Sequence, residues 1–233
     1  MATVKELIKL AESRLDDASK DVNVAKVLFY HLADKQPHEL YLMYDEEVSS
    51  ELEAKFLAGM EEYYQGKPIQ YIKGVENFFG RDFKVNEDVL IPRYETEELV
   101  ENILYRIDDY FAEYQSITLC DVGTGSGAIA TSLALEEPRL KVFATDISLK
   151  AVTVAKDNAK NLGANIEFMV GDMLEPLLEN EIKVDIFVSN PPYIPQEQEI
   201  EAMVKDNEPH VALFGGNAVS YTHLRAHETC ADL

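Results

Sequence analysis

Ile117-Thr118-Leu119-Cys120-Asp121-Val122-Gly123-Thr124-Gly125-Ser126-Gly127 is the stretch on which the fold turns. Its first six residues read as a buried strand. The remainder is a glycine-rich loop that opens a helix predicted over 126–136. Beyond it, 141–145 reads as a second strand and 149–162 as a second helix, closed by Gly163. Two further apolar runs, 166–170 and 184–189, complete the alternation. Strand and helix in turn predict an α/β domain, a parallel sheet with helices on both faces.

Upstream the texture differs. Glu95 to Tyr110 carries Leu99, Val100, Ile103, Leu104 and Ile107 at helical spacing. Before it, Tyr71, Ile72, Phe78, Phe79, Phe83, Val85 and Val89 cluster between Gly74, Gly80 and Asn86, which predicts a strand hairpin bridging two domains. Residues 1 to about 75 read as helices. Thr3 with Glu6 fits a capping box, ahead of Leu7, Leu10 and Leu15. Val24, Val27, Leu28, His31 and Leu32 form a second stripe, on which His31 reads as a packed core residue. A third helix is expected to open at Ser50, with Glu53 three residues on, and to end at Gly66 and Pro68.

Glycines in such a loop permit positive φ and let a ligand approach the backbone closely. Asp146, ending the second strand, is placed to accept hydrogen bonds from both ribose hydroxyls of an adenosyl ligand. Asp121 would repel a pyrophosphate but can meet an ammonium. The charge pattern therefore points to S-adenosylmethionine, whose sulfonium and ammonium are cationic. Asp172, after Gly171 at the end of the third strand, is expected beside the adenine amino group; the alternative is an N-cap of the following helix.

Asn190, Pro191, Pro192 and Tyr193 end the fourth strand, on the sheet edge where ligands of open α/β sheets bind. A planar nitrogen, of an amide or an adenine, has a delocalised lone pair and is a poor nucleophile. The Asn190 side-chain carbonyl and the Pro191 backbone carbonyl can each accept one of its N–H hydrogens. That aims the nitrogen and stabilises the positive charge developing on it. Proline fixes the backbone, and Tyr193 offers a flat wall. Asn190, Pro191 and Tyr193 are thus the candidate catalytic residues.

Composition narrows the partners. The formal net charge is −22, with 43 acids against 21 bases and no basic run, a poor match to nucleic-acid phosphates. No apolar run reaches the length of a membrane span. Cys120 and Cys230 have no metal-like spacing, so neither a disulfide framework nor a metal site is expected. A cytoplasmic, monomeric protein is the expectation.

These motifs in this order resemble class I methyltransferases acting on planar nitrogen. Leu90-Ile91-Pro92-Arg93-Tyr94-Glu95-Thr96-Glu97, with Pro68-Ile69-Gln70-Tyr71-Ile72-Lys73-Gly74, resembles more narrowly the release factor glutamine methyltransferase family. The resemblance implies a class I, Rossmann-like methyltransferase sheet. It implies an N-terminal helical substrate-docking domain over 1–75, a hairpin linker over 76–94 and the methyltransferase domain over 95–217. It also implies methyl transfer from S-adenosylmethionine to the glutamine of a Gly-Gly-Gln motif in class 1 peptide chain release factors. Gly123, Thr124, Gly125, Ser126, Gly127, Asp146, Asp172, Met173 and Asn190 would hold the cofactor, Met173 standing where the family often has an aromatic beside the adenine. Asn190, Pro191, Pro192 and Tyr193 would hold the glutamine. Pro92 and Arg93 would shape the cofactor pocket from the linker side, unless Arg93 makes a structural salt bridge.

Ala212 to Gly216 fits the family; the tail over 218–233, which carries His223, His227 and Cys230, does not. An incomplete sheet, with its fourth strand left as an edge, is therefore expected, and with it an unstable or poorly active chain. Two other readings compete: an adenine-N6 nucleic-acid methyltransferase, and a non-catalytic S-adenosylmethionine-binding protein.

Overall fold

A computed structural model describes residues 2–17, 20–195, 197–198 and 201–215. The tail over 218–233, with its two histidines and Cys230, lies outside the described residues, as does Gly216. The chain divides into two compact units, Met1–Gly74 and Val75–Leu233.

The first unit is helical: α1 (Val4–Asp17), α2 (Asn23–Leu32), α3 (Ser50–Tyr64) and the short α4 (Ile69–Lys73). The capping box forms. Thr3 N–H donates to the Glu6 carboxylate at 2.9 Å and Glu6 N–H to the Thr3 hydroxyl at 3.3 Å. The buried stripe of α1 is Val4, Leu7, Ile8, Ala11 and Leu15, and Leu10 faces solvent instead. On α2 the buried residues are Val24, Ala25, Leu28 and Phe29, while His31 is only half-buried. The cap of α3 is Ser49 rather than Ser50. Its extended backbone lets its hydroxyl oxygen accept Leu52 N–H, whereas Ser50 is already the first helical residue.

The second unit opens with the antiparallel hairpin β1 (Val75–Phe78) and β2 (Arg81–Lys84). Then follow α5 (Glu97–Tyr110), β3 (Ile117–Val122), α6 (Ala128–Glu136), β4 (Leu140–Asp146), α7 (Leu149–Leu162), β5 (Ile166–Val170), α8 (Glu175–Glu179), β6 (Ile186–Ser189), α9 (Ala202–Asn207) and α10 (His210–Leu213). The last four strands pair in parallel in the order β5-β4-β3-β6. Among the described residues β6 pairs on one side only.

Strand pleating sorts the core into two faces. Leu119, Val142, Ala144 and Val188 join Val100 of α5 and Ala128, Ile129, Ala130 and Leu133 of α6 on one face. Phe78 and Phe83 of the hairpin enter the same cluster, so the hairpin is packed into the second unit's core. Cys120, Val122 and Phe143 turn to the other face and meet Leu177 of α8.

Two boundaries differ from expectation for local reasons. Helix α6 starts at Ala128, because Gly127 stands at φ +78° in the left-handed region, outside helical geometry. Strand β6 starts at Ile186: Asp185 N–H still donates to Thr118 O at 2.8 Å, but Thr118 N–H goes to the Asp185 carboxylate at 2.7 Å rather than to a backbone carbonyl. No helix among the described residues is long and apolar enough to cross a membrane.

Candidate active site

The parallel register brings the strand tips level. Val122 of β3 pairs with Thr145 of β4 and with Ser189 of β6. One residue further, Gly123, Asp146 and Asn190 therefore stand side by side at the carboxyl edge. Val170 of β5 pairs with Asp146, which puts Gly171 and Asp172 just beyond. Ser189 Oγ donates to Val122 O at 2.8 Å and fixes the level of β6 against β3.

Backbone bonds shape the glycine loop. Gly123 N–H and Thr124 N–H both donate to Thr145 O, at 2.9 and 3.0 Å, and Gly127 N–H donates to Thr124 O at 2.8 Å. Gly125 stands at φ +56°, and a Cβ there would meet nothing within 4 Å, so open space lies over the loop. Gly127, also at positive φ, has a second reason to lack a side chain: a Cβ would come within 3.0 Å of the Ala155 Cβ, where α6 passes α7. Asp146 staples the loop with both oxygens, Oδ2 accepting Gly125 N–H and Oδ1 accepting Ser148 N–H, each at 2.9 Å.

Asp121 is fully buried at the end of β3, just before the glycine loop. Oδ2 accepts the Thr124 hydroxyl at 2.6 Å and Oδ1 has no hydrogen-bond partner. Burial pushes its pKa up to about 6. The Thr124 hydroxyl and the Ala130 backbone oppose the rise, and the nearby Asp146 adds to it. Burial also pushes the Cys120 thiol up to about 12, which leaves it protonated and inert.

After β5, the Thr145 hydroxyl donates to Met173 O at 2.9 Å and holds Met173 at φ +49°. The Met173 side chain packs partly onto the cluster of Cys120, Val122, Phe143 and Leu177. Asp172 is exposed. The position before α8 is Leu174, so Asp172 does not cap that helix. Ile147, next to Asp146, also presents its side chain to solvent at this edge.

A cavity of about 570 Å³ adjoins the tip of β6. Asn190, Pro191 and Tyr193 line it together with Leu90, Arg93, Glu95, Thr96 and Leu99 from upstream, and Ile194, Val204, Ala212 and Leu213 from downstream. Pro192 is not part of that lining. Neither are Gly125 and Asp146: Gly125 belongs to the loop after β3, and Asp146 ends β4, two strands from β6 on the same sheet edge. Tyr193 is 68% exposed and forms a rim rather than an interior wall.

Arg93 answers the question its sequence left open. Its guanidinium pairs at 2.5 Å with Glu208, whose side chain is 1% exposed, and Glu208 also accepts Ile91 N–H at 3.3 Å. Arg93 is thus both a salt-bridge partner and part of the cavity wall. The downstream segment is held again where Ile194 N–H donates to Leu213 O and Gly215 N–H to Ile194 O, both at 3.1 Å.

Three residues escaped the sequence reading. Asn158, 1% exposed, donates to Ser126 O at 2.9 Å and to Lys84 O at 3.0 Å, and accepts Lys84 N–H at 2.8 Å. It ties the glycine loop, α7 and the hairpin together. A polar residue on the buried face of α7, among Ala151, Val152, Ala155 and Ala159, was its signal. Glu208 had no local signal, since its partners lie 115 and 117 residues away. Thr96 stands in the sequence only as one letter of the stretch from Leu90 to Glu97, yet its hydroxyl faces Asn190.

The residues suit the expected cofactor. An open loop over Gly125, the Asp146 carboxylate and an unpartnered buried oxygen on Asp121 together favour a ligand carrying positive charge. A parallel sheet of this order, with that loop and acid on adjacent strand tips, defines a class I S-adenosylmethionine-dependent methyltransferase. Family models match the chain twice: a PrmC N-terminal domain over residues 6–74 and a methyltransferase small domain over 103–226. The release factor glutamine methyltransferase of Bacillus anthracis is 43% identical over 215 residues, covering 91% of this chain and 76% of that protein. The protein of the same name from Bacillus subtilis is 42% identical over 224 residues, with 95% and 78% covered. The chain belongs to the release factor glutamine methyltransferase family. Among solved structures, the delta-N METTL16 MTase domain is similar over 64% of each chain at 22% identity and a TM-score of 0.46, too distant to argue from.

Proposed function

We infer that this chain transfers a methyl group from S-adenosylmethionine to the side-chain amide nitrogen of a release factor glutamine. Family membership supports the reaction and the substrate, and disfavours the adenine-N6 and non-catalytic alternatives. The observation that carries the chemistry is the level placement of Asn190 beside Gly123 and Asp146 at one sheet edge, with a cavity on its far side. The target is the glutamine of a Gly-Gly-Gln motif in class 1 release factors, and the helical unit up to Gly74 docks that protein. The acidic charge of −22 supports a protein partner over a nucleic acid. We assign the protein to the cytoplasm as a monomer.

Asn190 Oδ1 and the Pro191 carbonyl each accept one amide N–H and so fix the glutamine nitrogen in one orientation. As positive charge develops on that nitrogen, both acceptors bind it more strongly than they bind the neutral amide, which lowers the barrier. When bound, the cofactor supplies an electrophilic methyl on a sulfonium, whose electron pair returns to sulfur without help from an acid. The Asp146 carboxylate and the loop from Gly123 to Gly127 would hold its adenosyl and methionyl parts. Tyr193 at the rim restricts the planar amide from one side. After transfer the nitrogen sheds its proton to water, so no strong base is needed.

The test is incubation of the chain with methyl-labelled cofactor and either purified release factor or an adenine-containing oligonucleotide. One methyl on a release factor glutamine, located by peptide mass spectrometry, is the expected result. Label in the oligonucleotide alone would overturn the reading.

A further inference from the structure

Thr96 ends the 3-10 turn Tyr94–Thr96 and occupies the N-cap position of α5. A threonine there ordinarily gives its hydroxyl oxygen to an N–H in the first turn of the helix. Thr96 makes no such bond, and its backbone lies in the helical region (φ −76°, ψ −16°) rather than the extended one that capping requires. Its Oγ1 lies instead 3.4 Å from Nδ2 of Asn190, 94 residues away in sequence. Both residues line the same cavity.

We propose that Thr96 is a positioning residue for methyl transfer: its hydroxyl oxygen accepts an Asn190 amide N–H and thereby fixes which end of that amide faces the substrate. The point matters because an asparagine amide has two chemically opposite ends of nearly the same shape. Only the oxygen can accept the glutamine N–H. Rotated by half a turn, Asn190 would set N–H against N–H and the substrate nitrogen would lose one of its two acceptors. An oxygen beside Nδ2 selects the productive orientation without touching the substrate. A separation of 3.4 Å is long for such a bond, as is usual before a substrate tightens the site.

Thr96 is itself held from two directions. Its N–H donates to Arg93 O at 2.9 Å, so the turn is closed beside the Arg93–Glu208 pair. Its neighbour Glu97 accepts Phe79 N–H at 2.9 Å, which fastens the start of α5 to the hairpin turn. The oxygen that orients Asn190 therefore sits on a braced corner, as a positioning group must.

This proposal rests on the reading of Asn190 as an acceptor for the substrate amide, and its test has a readout that does not depend on turnover. In the cofactor-free protein, the Asn190 side-chain NH₂ resonances are assigned by their loss in Asn190→Ala. Thr96→Val should shift them, and Thr96→Ser should leave them near their original positions. With release factor as substrate, Thr96→Val should lower kcat by about tenfold. KM and the cofactor Kd should stay within about twofold, and Thr96→Ser should recover most of the rate. The melting temperature of Thr96→Val should hold, since no cap bond is lost; should that variant not fold, Thr96→Ala carries the same comparison. Unmoved Asn190 resonances, an unchanged kcat, or Thr96→Ser behaving like Thr96→Val would each overturn the proposal. A parent chain that methylates no release factor would defeat the proposed function instead, while the resonances still decide the Thr96 contact.

Discussion

The two halves of the site are built by different means. Around the glycine loop, main-chain groups and the Asp146 carboxylate do most of the holding, with Asn158 bracing the loop from behind: Thr145 O takes two N–H groups and Asp146 takes two more. Around the cavity, side chains reach across the sequence, Thr96 to Asn190 over 94 residues and Arg93 to Glu208 over 115. A ligand bound by the first half meets a surface fixed by local backbone geometry. A substrate entering the second meets walls whose alignment depends on distant segments arriving together. Cofactor affinity and catalytic positioning should therefore be separable by mutation.

Asn190→Ala is the strongest way to break that division. It should lower kcat by at least about a hundredfold while leaving the cofactor Kd within about threefold, since it removes an acceptor for developing charge. Radiolabel transfer and calorimetry would measure the two quantities, and a large loss of cofactor affinity would show that the halves are not distinct. Asp146→Asn is the converse. Losing charged acceptors for Gly125 N–H and for the ribose should weaken cofactor binding on the order of fiftyfold. At saturating cofactor, kcat should hold within a few-fold.

Asn158→Ala probes the brace behind the loop. Two backbone carbonyls and one N–H lose their partner in a buried place, so unfolding should become easier by about 2 kcal/mol, roughly thirtyfold in the equilibrium constant. Urea denaturation followed in the second unit would detect it, and an unchanged midpoint would mean that water substitutes freely.

The smallest effect concerns pH. The Asp121 pKa in the folded protein, about 6, lies above its ordinary 3.8. Between those values the folded state binds more protons than the unfolded one, so this group's contribution to stability falls as pH rises through the window. A cationic cofactor favours the ionised carboxylate. Its affinity should fall by up to about tenfold as pH drops from about 7 to about 5. Calorimetry across that range should show the slope, and Asp121→Asn should flatten it.

The same contrast explains what the sequence made legible. Ile117 to Gly127 declares strand, loop and helix within eleven adjacent letters, because positive φ at Gly125 and Gly127 is a local requirement. Asp146 was readable for the same reason, as an acid closing an apolar run. Asn190 to Tyr193 stood out as a candidate site, but the walls around it did not. Nothing near Glu208 marks it as buried, and nothing near Thr96 points to a partner 94 residues away. Leu10 misled because a stripe defined by three leucines ignored Val4, Ile8 and Ala11, which complete the buried face. Local conformational demands leave local traces, whereas contacts made across 100 residues leave almost none.

Strand order has a consequence for the way the chain is born. β3, β4 and β5 are neighbours both in space and in sequence, so they can assemble once the ribosome has delivered residue 170. β6 must then add to the opposite flank of β3, bringing Asn190 with it. Vectorial synthesis thus presents the glycine loop and Asp146, the proposed cofactor cradle, before Asn190 has left the exit tunnel. Early ligand capture could act as a template on which the last-made part of the site is completed.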